Sequence, residues 1–102
     1  MTDYSLVEDS NNEDSCHYTV KGRVSVNESL HFEKVLEGAT EAGFKDIVIN
    51  MSLVSQLSSV GIRVLISMNK RLKSKGGKLR IENPSENVRN VIGMVALDDL
   101  LL

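Results

Sequence analysis

Tryptophan is missing from this chain, proline and cysteine occur once each, and two tyrosines and two phenylalanines supply all its aromatic rings. A core built from it must rest on Val, Ile, Leu and Met. So few rings also leave little for bases to stack on, which argues against single-stranded nucleic acid as a ligand. Cys16 is alone, so an internal disulfide is excluded, and a reducing compartment suits it. Apolar runs fall far short of the roughly 20 residues that cross a bilayer. The opening MTDYSLVEDSNNEDS has neither the basic flank nor the apolar stretch of a secretory leader, so a cytoplasmic protein is expected. Histidine is scarce too. His17 and His31 are tied to no serine by any motif, and G-x-S-x-G is missing. Clusters of His, Cys or carboxylate with ligand spacing are also lacking. The expectation is no catalytic residue, no metal and no cofactor.

The 102 residues suffice for one domain, and 41% hydrophobic with 25% charged is an ordinary globular balance. The net charge of -2 is unevenly spread. Asp3, Glu8, Asp9, Glu13 and Asp14 precede the first lysine, whereas Arg63, Lys70, Arg71, Lys73, Lys75, Lys78 and Arg80 gather later. Without interleaved aromatics, that basic cluster reads as the wet side of a helix and its following turn, not as a nucleic-acid or membrane surface.

Hydrophobic spacing divides the chain into elements. Residues 4–8, YSLVE, read as a short strand and Asn11-Asn12 as a turn. In HYTVKGRVSV, Tyr18, Val20, Gly22, Val24 and Val26 alternate with polar residues, the pattern of a half-buried strand. These two pair as a hairpin. Asn27 then caps a helix with Leu30, Phe32, Val35, Leu36 and Ala39 on its inner side, and Gly43 stops it. FKDIVINM carries three consecutive β-branched residues, Ile47 to Ile49, which predicts a central strand covered on both faces and followed by a loop. Gly61, Leu65, Met68 and Leu72, with Ile62, Ile66 and Asn69 beside them, mark an amphipathic helix ending near Gly76-Gly77. KLRIE is a strand, and Asn83-Pro84-Ser85 is a turn capping a helix with Val88, Val91, Ile92 and Val95. The final LDDLLL reads as a closing strand or as the tail of that helix. The fold class is therefore α/β, one domain over residues 1–102. Its mixed, mostly parallel sheet begins with an antiparallel hairpin and carries three to four helices.

The junction QLSSVGIRVL, Gln56 to Leu65, places two hydroxyls where a strand gives way to a helix, the usual location of sites in open α/β sheets. Ser58 or Ser59 lies at or beside the helix N-cap, where a hydroxyl oxygen accepts from an unpaired N–H at a gain of about 1 kcal/mol. The same place favours an anion, because first-turn N–H groups and the helix dipole present positive charge. A phosphoryl group there adds about -1.5 to -2 charges that the fold can accept and a docked partner cannot. Gly61, lacking a side chain, offers room for a close backbone approach by a partner.

With those residues in place, the chain resembles a STAS domain of the bacterial anti-sigma-factor antagonist kind, over nearly its whole length. VKGRVS is similar to that family's second strand, DIVINMSLVSQLSSVGIRVL to its strand-loop-helix signature, and KSKGGKLRIENPSENVRNVIGMVALDDLL to the remainder. The resemblance makes Ser59 the phosphoacceptor, with Ser58 at the usual aspartate, Val60 at the next hydroxyl and Gly61 at the glycine. Ser25 stands where the family often has an aspartate at the end of its second strand. It implies that Ser25, Ser58, Ser59, Val60 and Gly61 meet a partner, an anti-sigma factor that is also a GHKL-type Ser/Thr kinase. A PP2C-type phosphatase would restore the binding form. The two departures at Ser25 and Ser58 keep a second reading open, a STAS module in a lipid-transport ABC complex or a non-sigma signalling assembly.

Overall fold

The computed structural model describes residues 4–94. Its elements in chain order are β1 (Ser5–Asn11), β2 (Ser15–Val24), α1 (Val26–Glu41), β3 (Asp46–Leu57), α2 (Ser59–Ser74), β4 (Lys78–Glu82) and α3 (Glu86–Met94). Val95 and LDDLLL lie outside the described residues.

The hairpin closes as its turn residues dictate. Asn12 turns the chain with its own side chain, Oδ1 accepting from Asp14 N at 3.0 Å and Ser15 N at 2.9 Å. β1 pairs antiparallel with β2, and β2-β3 and β3-β4 pair parallel, giving the order β1-β2-β3-β4. That order never reverses. Two right-handed crossovers taken in the same direction, β2-α1-β3 and β3-α2-β4, leave both helices on one side of the sheet. Among the described residues the other side is open, which corrects the expectation of a strand covered on both faces. Ile47 and Ile49 are fully buried, while Val48 between them is only partly so. Among the described residues the strand order shows no reversal, the point at which open α/β folds form their ligand crevice.

β3 is longer than its sequence suggests. The stretch after Met51, expected to be a loop, stays in the ladder to Leu57. Two register shifts against β2 each insert one extra residue into β3, so Met51, Val54 and Leu57 reach the inner face at intervals of three. Strict alternation, the usual signature of a strand, is thereby erased.

The core is aliphatic, with Val20, Ile47, Ile49, Met51, Leu79 and Ile81 from the sheet meeting Phe32, Leu36, Leu65, Leu72, Val88 and Ile92 from the helices. The exit from α2 needs both of its glycines. Gly76 takes φ +84°, and the N–H groups of Gly76 and Gly77 return to the carbonyls of Lys73 at 3.1 Å and Leu72 at 2.8 Å. A Cβ on Gly77 would stand 1.8 Å from the Lys45 carbonyl oxygen. Asn69, buried on α2, accepts from Leu79 N at 3.0 Å and fastens the helix to β4. Ser85 caps α3 as its sequence predicts, accepting from Val88 N at 3.2 Å. No helix among the described residues is long and apolar enough to cross a membrane.

Candidate functional site

β2 and β3 run parallel, and their last residues, Val24 and Leu57, are register partners. One residue follows each strand before a helix begins, so Ser25 and Ser58 stand side by side, each an N-cap. The ladder carries across to them, with Ser58 N donating to Val24 O at 2.9 Å. Two helix N-termini therefore open at the same end of the sheet.

Ser58 is the working cap of α2, its Oγ accepting from Gly61 N at 3.1 Å. Ser59, next in line, is exposed and holds the first helical position, and no cap bond uses its hydroxyl. The question left open between the two serines is settled for the cap alone: Ser58 fills it. Val60 is half-buried beside Ser59.

Ser25, not Asn27, precedes α1. Its backbone oxygen accepts from Ser29 N at 2.9 Å, while its Oγ donates to the Glu28 carboxylate. Ser25 occupies the N-cap position without a side-chain bond to the first-turn N–H groups, its hydroxyl being held by Glu28 three residues on. Helix α1 consequently starts earlier than expected and is rotated from its predicted stripe. Ser29, Phe32, Leu36, Ala39 and Thr40 face inward. Val26, expected on the inner face of β2, and Leu30, expected in the core, are 55% and 57% exposed. They are four residues apart on one side of the first turns of α1, an apolar surface that the sequence reading missed.

Gly61 faces inward. A Cβ there would lie 2.8 Å from Leu57 Cδ1, 3.2 Å from Ser29 Oγ and 3.4 Å from Val24 Cγ1. The close approach that glycine permits is thus to this protein's own α1 and strand ends, correcting the expectation of space for a partner's backbone. Ser29 is a residue that the sequence did not single out. It is fully buried, donates to Ser25 O at 2.7 Å and lies 3.1 Å from Ser58 Oγ, joining the two caps. The signal for it was a serine at a core-facing helical position, legible only once the start of α1 is known.

The histidines are engaged elsewhere. His17 Nε2 is 3.3 Å from Glu82 on the open face of the sheet, and His31 Nδ1 is 2.9 Å from Tyr4 Oη. Burial, with Glu28 adding to it, pushes the Tyr4 phenol up to about 12. No group of three or more His, Cys, Asp or Glu fit to hold a metal occurs among the described residues.

Comparison with known proteins agrees with this architecture. A family model described as STAS domain matches residues 7–102. The chain is 28% identical over 90 residues to the anti-sigma-B factor antagonist of Bacillus subtilis (strain 168), covering 88% of this chain and 82% of that one. Among solved structures, the anti-sigma factor antagonist SpoIIAA in its unphosphorylated form aligns with a TM-score of 0.86 at 16% identity, covering 96% of this chain and 86% of that one. The phosphorylated form of SpoIIAA, from Bacillus, aligns at 0.80 and 15% identity, covering 96% and 89%.

Proposed function

The chain belongs to the STAS domain family, and from that premise we propose that it is an anti-sigma-factor antagonist switched by a phosphoryl group on Ser59. The observation that carries this reading is the division of labour at the start of α2. Ser58 satisfies the helix, so the exposed Ser59 hydroxyl next to it has no structural duty. The relative named as an anti-sigma-B factor antagonist supports the same role.

In the unmodified protein, the starts of α1 and α2 offer an anti-sigma factor the exposed Ser59 hydroxyl together with exposed, apolar Val26 and Leu30. Ser25, Ser58 and Gly61 act within this surface by fixing the two helix starts; Val60 lies at its margin. Docking here competes with the sigma factor and frees it. The anti-sigma factor, as a GHKL-type Ser/Thr kinase, then ends its own sequestration. Ser59 Oγ attacks the γ-phosphorus of ATP, the bond to the β–γ bridging oxygen breaks, ADP leaves and the hydroxyl proton passes to a base of the kinase.

The product is a near-dianion at a helix start. Within this protein the first-turn N–H groups and dipole of α2 accept it, and Arg63, four residues on and exposed, shares its side of the helix. Within an interface the same charge must be desolvated, at several kcal/mol unless a partner cation meets it. The complex is released and the fold stays. A PP2C-type phosphatase returns the hydroxyl by hydrolysis.

Incubation with ATP and the anti-sigma factor kinase recovered with this protein from its host, followed by phosphosite mapping, tests the reading. A phosphate on Ser59, lost in Ser59→Ala, is the expected result. An unmodified Ser59 together with undiminished binding by Ser59→Asp overturns it, and recovery of a transporter ATPase in place of a kinase favours the STAS module of another assembly.

A further inference from the structure

Two hydroxyls stand next to each other at the start of α2, and a kinase reaching this loop meets both. The contacts around Ser58 fix where its proton points. Ser29 has one hydroxyl proton, and the carbonyl oxygen of Ser25, which can only accept, takes it at 2.7 Å. The 3.1 Å contact between Ser29 and Ser58 then has one workable direction, from the Ser58 proton to the Ser29 oxygen. Ser58 Oγ in turn accepts from Gly61 N at 3.1 Å. All three contacts are satisfied by a single chain of donors: Gly61 N–H to Ser58 Oγ–H to Ser29 Oγ–H to the Ser25 carbonyl.

We infer that this relay selects the phosphoacceptor, and that Ser29, through Ser58, is the residue that determines which of the two serines is modified. The inference rests on the reading of Ser59 as the phosphoacceptor and names what makes it the choice. Transfer requires an oxygen lone pair facing the γ-phosphorus of ATP, release of the hydroxyl proton to a base of the kinase, and departure of ADP with the bridging oxygen. At Ser58 an amide N–H holds one lone pair, and the proton is held on the side of fully buried Ser29, away from any kinase base. Turning Ser58 outward would orphan the Gly61 N–H and leave the Ser29 oxygen without its donor. Ser59 carries neither commitment and is exposed. Relayed bonds of this kind strengthen one another, so the lock on Ser58 exceeds that of a lone cap.

Ser29→Ala is the informative variant, since alanine suits a helix and removes only the middle hydroxyl. Amide exchange by NMR reads the relay without a kinase. The Gly61 N–H is expected to exchange about fivefold faster in Ser29→Ala, with Leu72 unchanged. An unchanged Gly61 rate overturns the relay, as does a Ser29 hydroxyl proton in the unsubstituted protein that exchanges with water too fast to observe, a measurement independent of how any variant folds. Phosphosite mapping reads the selection. The share of phosphate on Ser58 is expected to rise about tenfold in Ser29→Ala, a difference of about 1.4 kcal/mol between the two sites, and to vanish in Ser29→Ala with Ser58→Ala. An unchanged share overturns the selecting role. Phosphate on neither serine in any variant, with Gly61 exchange accelerated as expected, overturns the phosphoacceptor reading on which the selection rests while the relay itself stands.

Discussion

Ser58 and Ser59 differ by one position and have opposite relations to the fold. The first accepts from Gly61 N and touches Ser29, and the second faces solvent. Replacing Ser58 by alanine leaves a first-turn N–H and a buried hydroxyl short of partners and is expected to cost about 1–2 kcal/mol. Replacing Ser59 is expected to change stability by less than about 0.5 kcal/mol. Chemical denaturation of the two variants separates them, and equal losses would contradict the assignment of the cap. Gly61 is the least replaceable residue of the site. A Cβ placed 2.8 Å from Leu57 Cδ1 and 3.2 Å from Ser29 Oγ overfills a packed junction, so Gly61→Ala should lower stability by about 1–3 kcal/mol with an unchanged m-value. A glycine and two serines at a strand-helix junction were legible in the sequence. Their division into cap, bridge and free hydroxyl was not, because it depends on the β2-β3 register that sets Ser25 beside Ser58.

Among the elements, α1 departs furthest from its pattern. A helix is read from apolar spacing, yet here the inward stripe begins at Ser29 and includes Thr40, whose hydroxyl returns to Leu36 O at 2.9 Å. Internal bonds let polar side chains occupy a buried stripe, and Leu30, one position from Ser29, is thereby turned outward. Exposed leucine and valine at the helix start contribute little to folding. Val26→Ala and Leu30→Ala are expected to leave denaturation midpoints nearly unchanged while weakening anti-sigma factor binding about tenfold each. Calorimetric titration checks this, and undiminished affinity in both would remove α1 from the docking surface. The strand β3 illustrates a different loss of legibility. Its two inserted residues convert a period of two into a period of three, so serines and a glutamine that look like loop remain in the ladder. By contrast, the ends of α1 and α2 at Gly43 and Gly76, and the cap of α3 at Ser85, follow from local turn chemistry and were readable residue by residue.

For the molecule as a whole, alternation of strands and helices identified a parallel sheet, and right-handed crossovers follow from it. The open face did not emerge, since three adjacent β-branched residues mimic a doubly covered strand. That one-sided layering concentrates buried acids on the helix side and at its margin. Burial raises the Cys16 thiol above its ordinary 9.0 and the Tyr18 phenol above its ordinary 10.0, and Tyr4 is raised to about 12. Each group is neutral when protonated, and each ionises at lower pH in the unfolded chain than in the fold. Their contribution is therefore intact below about pH 9 and drains away as pH climbs towards 12. Denaturation midpoints should be flat from neutral pH to about 9 and fall above it, and a midpoint that holds steady to pH 11 would contradict the burial of these groups. The proposed switch asks nothing of this scaffold beyond tolerance of new charge at one helix start. Its most direct test is a paired measurement on protein phosphorylated at Ser59: affinity for the anti-sigma factor by calorimetry, and melting temperature. Binding weakened at least about a hundredfold is expected, with a melting temperature within about 3 °C of the unmodified protein. Unweakened binding, or binding lost only because the phosphorylated protein unfolds, would contradict the proposed switch.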